Sequence, residues 1–265
     1  KGATAELTEG KGAASDAARV NTHIVPKEVL APITTAAGAI RQHFYHNTLP
    51  WKDNGDRLLV KDMYEEFMQG HSKLREAFFA AVEDFLARGY PGARERAAFR
   101  MGDLFKADVF PDVRTLRDRF SVKLDIDPVA TSGDFRVDMD QKAAEHIRGA
   151  MEEAMQDRVG KAMEDIWTRL STILGNYHER MSDPKNRFKV ATVTNLEELV
   201  DMLPKMNILN DPDLARIQSQ IREPIVGFTA ADLHGDEEER ACVAEQSRQI
   251  LDDMSGIMRA FKTAA

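Results

Sequence analysis

Between Asp140 and about Ser182 the sequence carries one apolar stripe uninterrupted by proline: Ile147, Met151, Met155, Val159, Ala162, Ile166, Leu170, Ile173 and Tyr177. These positions span 30 residues in eight steps, a mean spacing of 3.75, which lies nearer an eleven-residue repeat than the 3.5 of a left-handed coiled coil. The pattern predicts one straight or slightly right-handed helix, ~60 Å long at 1.5 Å per residue. A core within a chain of 265 residues does not need a helix of that length, so part of it is expected to protrude or to meet another chain. This feature sets the predicted class: mainly α, an elongated helical bundle with one very long helix and a small β-hairpin or ribbon.

The remaining helix signals are shorter. "KEVLAPITTAAGAIRQHFYHNT" places Val29, Leu30, Ile33, Ala37, Ile40 and Phe44 at helical spacing, and it stops near Asn47 because Pro50 disfavours helix at Leu49 and "KDNGD" supplies turn residues. A second stripe runs through Val60, Met63, Phe67, His71, Leu74, Phe78, Ala81 or Val82, and Phe85 and is expected to end at "RGYPG". Two short helices follow over 92–120. "FSVKLDIDPV" and "DFRVDMD" then alternate apolar and polar residues at period two, predicting the ribbon at about 120–138. Beyond the long helix, "TNLEELVDMLPKMNI" reads as a helix capped at Thr194 or Asn195. Residues 223–235 read as irregular, and "DEEER" opens a final helix striped by Val243, Ser247, Ile250, Met254, Ile257 and Phe261. The expected organisation is an N-terminal arm over 1–24, a bundle over 25–185 that includes the ribbon and the long helix at about 140–182, and a C-terminal helical segment over 186–265 packing on the bundle.

A net charge of −8, from 36 basic and 44 acidic residues, gives no global attraction to phosphate, so binding a nucleic acid would need a local patch. One cysteine, Cys242, allows no internal disulfide and fits a reducing compartment. No apolar run is long enough to span a membrane and no signal-peptide core is present, so a soluble, cytoplasmic protein without a membrane partner is expected.

Candidate chemistry is sparse. His43 and His46 lie one turn apart beside Trp51 and are weak metal candidates, because no Glu-x-x-His or His-Glu-x-x-His accompanies them. The bland alternative is a helix end and a turn, with Leu49, Pro50 and Trp51 as a structural corner anchored by Trp51. His71 falls on an apolar stripe, where a hydrogen-bonded core histidine is the expectation. Cys242 reads as a packing residue, since Glu237, Glu238 and Glu239 oppose thiolate formation. The acids of "LDIDP" and "VDMD" read as the wet face of a ribbon. No phosphate-binding loop occurs. Arg94, Arg96, Arg100, Arg114, Arg117 and Arg119 alternate with Phe99, Phe105, Phe110 and Phe120, the combination used to neutralise a single strand and stack its bases. The competing reading puts the phenylalanines in a core and pairs the arginines with Asp103, Asp112 and Asp118.

"HFYHNTLPW", "GDRLLV", "FPDVRTLRDRFSVKLDIDPV" and "DFRVDM" together resemble an uncharacterised helical protein family of tailed phages and prophages, over about Arg19 to Pro212. That family is similar to families found beside MoxR-type ATPases and cobaltochelatase-like von Willebrand A proteins. The resemblance implies a phage early-region or accessory protein in the bacterial host cytoplasm and brings no active site with it. The combined expectation is a non-enzymatic scaffold or adaptor without cofactor. It would bind itself as a homo-oligomer, and a phage or host protein such as an AAA ATPase. Single-stranded DNA binding in phage replication or recombination is the alternative, and a His43 and His46 metal enzyme a distant third.

Overall fold

The computed structural model describes residues 25–102, 105, 107, 110–129, 141–183, 186–223 and 225–264. It is mainly α-helical, and the chain divides into two compact units. The first takes in residues 1–46 and 65–128, the second residues 47–64 and 129–265. The sequence had placed the long helix with residues 25–128. Instead it belongs with the C-terminal helices, whose apolar stripes match its own.

In the first unit, α1 (Lys27–His46) and α2 (Tyr64–Asp84) supply Ile33, Phe78 and Val82 to a core completed by Phe85, Leu86, Tyr90, Ala97 and Phe110. The helix expected to end at "RGYPG" continues through a π turn, Phe85–Gly89, into α3 (Tyr90–Met101). Pro91 has no N–H to offer the preceding turn, and the widened turn absorbs it, the Tyr90 N–H reaching back to Phe85 O. Gly89 fits closely there: a Cβ would sit 3.0 Å from Val29 Cγ1, a tight contact. Next comes α4 (Val113–Arg117), capped by the Asp112 side chain, which accepts from Arg114 N at 2.8 Å.

Residues 120–129 form no strand, and 130–138 lie outside the described residues. The period-two pattern has another cause: Phe120 and Val122 point alternate side chains onto the first core from an extended segment. The described sheet lies elsewhere, in the second unit, where β1 (Leu49–Pro50) pairs antiparallel with β2 (Arg57–Leu58), Leu49 opposite Leu58. "KDNGD" closes it: Trp51 N and Lys52 N both donate to Asp56 O at 3.2 Å, and Gly55 takes φ +97°.

The second unit is built on α5 (Gln141–Ser182), the predicted long helix. Its buried residues run from Ala162 to Met181. They meet α6 (Val190–Met206), α7 (Pro212–Arg222), α8 (Ala230–Gly235) and α9 (Glu237–Ala264), with Leu49 and Met63 joining the same core. α6 begins well before Thr194. The Thr194 hydroxyl lies inside the helix, bonded back to Val190 O, so it is not the cap. α8 falls where an irregular segment was expected. Its capping box, Thr229 exchanging hydrogen bonds with Asp232, is the local signal that marks it. α9 runs antiparallel to α5: Arg240 meets the carbonyls of Arg180 and Met181, and one turn on, Ala244 O meets His178 Nδ1.

Candidate interaction surfaces

The corner at 48–51 is structural. Leu49 is fully buried and Trp51 only half-buried, so Leu49 and not Trp51 is the anchor. The Thr48 carbonyl accepts from two guanidinium groups, Arg57 Nη2 and Arg169 Nη2, each at 2.7 Å, while Arg57 Nε donates to Thr48 Oγ1 at 2.8 Å. Asp165 balances Arg169 at 2.6 Å. Arg169 was not legible as a partner, since it is 121 residues from Thr48.

His43 belongs to the first unit and packs across α2. Its Nε2 lies 2.9 Å from Phe67 O, and its ring stacks on Phe67 with centroids 5.1 Å apart. Phe67 in turn stacks on His71, which is buried as expected; no hydrogen bond to His71 occurs among the described residues. Burial, and then the charges of His43 and Arg75, hold the His71 imidazole below its ordinary value near 6.5. Gly70 makes the packing feasible, because a Cβ there would come within 2.4 Å of His43 Cε1. No group of three or more His, Cys, Asp or Glu able to hold a metal ion occurs among the described residues, so His43 and His46 gain no ligand set there. Cys242 is exposed rather than packed, because Val243, Ser247 and Ile250 turn the opposite side of α9 inward. Asp125 and Asp127 are exposed, and Asp138 and Asp140 lie outside the described residues.

The four phenylalanines separate. Phe110 is buried, Phe105 and Phe120 lean on the first core, and Phe99 stands 91% exposed on α3. Three of the four are therefore packing residues. Arg94, Arg96, Arg114, Arg117 and Arg119 are exposed, and nothing is described of the Arg100 side chain. Arg117 pairs with Glu83 at 2.6 Å; Arg94, Arg96, Arg114 and Arg119 make no ion pair among the described residues.

Two features of the second unit escaped the sequence reading. The guanidinium of Arg240, 5% exposed, clamps the C-terminal end of α5: Nε donates to Met181 O at 3.1 Å, and Nη2 to Arg180 O at 2.6 Å, Asn186 O at 2.9 Å and Asp183 O. It also lies over the Phe188 ring, 5.2 Å from the centroid. A lone Arg behind three Glu carries no local sign of that role. An open cavity of about 340 Å³ beside it is lined by His178, Ser182, Glu237 and Glu245, among others. Ser182 is not poised as a nucleophile there, because its hydroxyl donates to His178 O at 2.8 Å. The second feature is Tyr177, whose buried hydroxyl finds no hydrogen-bond partner among the described residues.

Along α5, no described residue from 145 to 161 is buried. Ile147, Met151, Met155 and Val159 are half-buried and belong to neither core. Among the described residues no helix is long and apolar enough to cross a membrane. Comparison with protein-family models, curated proteins and solved structures finds no match to this chain.

Proposed function

We propose that this chain is a non-enzymatic, phage-type binding protein, a scaffold or adaptor of the bacterial host cytoplasm. Its first partner is a second copy of itself, and an AAA-type ATPase of phage or host is a further one. The observation that carries the reading is the N-terminal half of α5. It extends ~30 Å at 1.5 Å per residue and keeps Ile147, Met151, Met155 and Val159 in register outside both cores. An apolar stripe that joins neither core of the described residues is what a self-associating helix presents, and closed homo-oligomers are the commonest way to cover one. The sequence resemblance supports the phage setting.

Light scattering after size exclusion tests it. The chain is expected at twice its 29.7 kDa or more, and Met151→Glu with Met155→Glu is expected to return it to 29.7 kDa with an unchanged far-UV circular dichroism spectrum. A wild-type protein that stays at 29.7 kDa at concentrations on the order of 100 µM would overturn self-association.

A further inference from the structure

Two arginine groups separated in the sequence share one core in the first unit. α3 buries Tyr90, Ala93 and Ala97 while exposing Arg94 and Arg96. α4 and the turn after it rest Val113, Leu116 and Phe120 on that same core while exposing Arg114, Arg117 and Arg119. The Tyr90 hydroxyl ties the two elements together, donating to Pro111 O at 2.7 Å. Residues 88–123 hold nine Lys and Arg against five Asp and Glu, in a chain of net charge −8.

Several of the neighbouring carboxylates are already engaged. Glu83 pairs with Arg117, Asp84 with Arg88, and Asp112 caps α4. Glu95 and Asp118 are exposed and offset part of the charge. Arg94, Arg96, Arg114 and Arg119 nonetheless remain without ion pairs among the described residues. One turn from Arg96, on the side of α3 opposite its buried alanines, Phe99 presents its ring to solvent at 91% exposure. Core packing gives no reason for that ring.

We infer that these exposed arginines of the first unit, with Phe99 as a stacking platform, bind single-stranded nucleic acid. Unpaired guanidinium groups neutralise phosphates, and an exposed aromatic ring accepts an unstacked base of any identity. A duplex offers the phosphates but keeps its base faces stacked. A lipid surface would call for a broad apolar face, and the apolar face of α3 is spent on the core. The inference is independent of self-association through α5.

The test is fluorescence anisotropy of the full chain with a labelled oligo-dT of about 20 nucleotides. Four phosphate contacts on a single strand predict a log–log salt slope near −2.8, so raising salt from about 50 to 200 mM should weaken binding about fifty-fold. Arg114→Gln with Arg119→Gln should halve the slope, leaving a drop of about sevenfold over the same range. Phe99→Ala should weaken oligo-dT binding roughly tenfold and leave binding of inorganic polyphosphate unchanged. All three residues are exposed, so unchanged urea midpoints are expected. No oligo-dT binding at about 50 mM salt overturns the inference. So do arginine variants that bind like wild type, and equal affinity for duplex, polyphosphate and oligo-dT with no effect of Phe99→Ala. Capture by anionic vesicles without capture of oligo-dT overturns it as well.

Discussion

Arg240 offers the sharpest test of how the second unit is held together. Its charge is buried at 5% exposure and is met by carbonyl dipoles at the negative end of α5. In Arg240→Met the side chain keeps most of its volume and loses every donor. Asp183 and Arg180 are exposed, so their carbonyls can turn to water, whereas Met181 is buried and its carbonyl is left dry. One stranded carbonyl costs about 1–3 kcal/mol, and the lost contact with Phe188 about 1 kcal/mol more, which sums to roughly 3 kcal/mol. With a urea slope of about 2 kcal/mol per molar, the midpoint should fall by roughly 1.5 M. Both tryptophans, Trp51 and Trp167, belong to the second unit and none to the first, so tryptophan fluorescence follows this transition selectively. Arg240→Lys, whose single ammonium cannot reach all four carbonyls, should fall between the two. A Met variant within about 0.5 kcal/mol of wild type would refute the reasoning, since the clamp's bonds would then only balance the desolvation of its charge.

Gly70→Ala should destabilise the first unit by about 1 kcal/mol or more, because its Cβ displaces the His43 ring from Phe67 O. In a His43→Ala background the same change should stabilise by about 0.5–1 kcal/mol through helix propensity, and far-UV circular dichroism in urea would show whether the sign inverts. Tyr177→Phe should stabilise the second unit by about 1 kcal/mol, since it removes a buried hydroxyl without a described partner; a loss of that size would reveal one. For His71 the folded protein favours the neutral ring. Its contribution is therefore present above the ordinary value near 6.5 and is lost as pH falls below it toward the lowered folded value. Urea midpoints between about pH 8 and 5 should show this slope, and His71→Phe should flatten it.

The long helix was legible almost to the residue, expected from Asp140 to about Ser182 and found at Gln141–Ser182, because periodicity is a local property that survives without knowledge of partners. Turn chemistry at "KDNGD" was legible for the same reason. The hairpin it closes was assigned elsewhere, because period-two alternation over 120–129 looks alike whether a segment enters a ladder or lies extended on a core. Pro91 was read as a stop because its missing N–H is a local fact, while the π turn that tolerates it buries Phe85 and Leu86 in a core that no local window contains. At the candidate sites the arginines and phenylalanines could be named from sequence but not sorted. Only burial separates Phe110 from Phe99. The Arg169 bond to Thr48 and the clamp at Arg240 join residues dozens to more than a hundred positions apart, and no window along the chain contains them.

The course of the chain has a consequence for the order in which this protein can acquire its structure on the ribosome. Residues 47–64 are made between two stretches of the first unit yet belong to the second. The carbonyl of Thr48 waits for Arg169, 121 residues later, before its second guanidinium partner exists. Neither unit is a continuous piece of sequence, so no single cut releases either one whole, and a nascent chain halted before the long helix emerges carries Leu49 and Met63 with nothing to bury them. Such an intermediate exposes apolar surface for as long as synthesis of the next hundred residues takes, a window in which a chaperone or a second nascent copy would find its target.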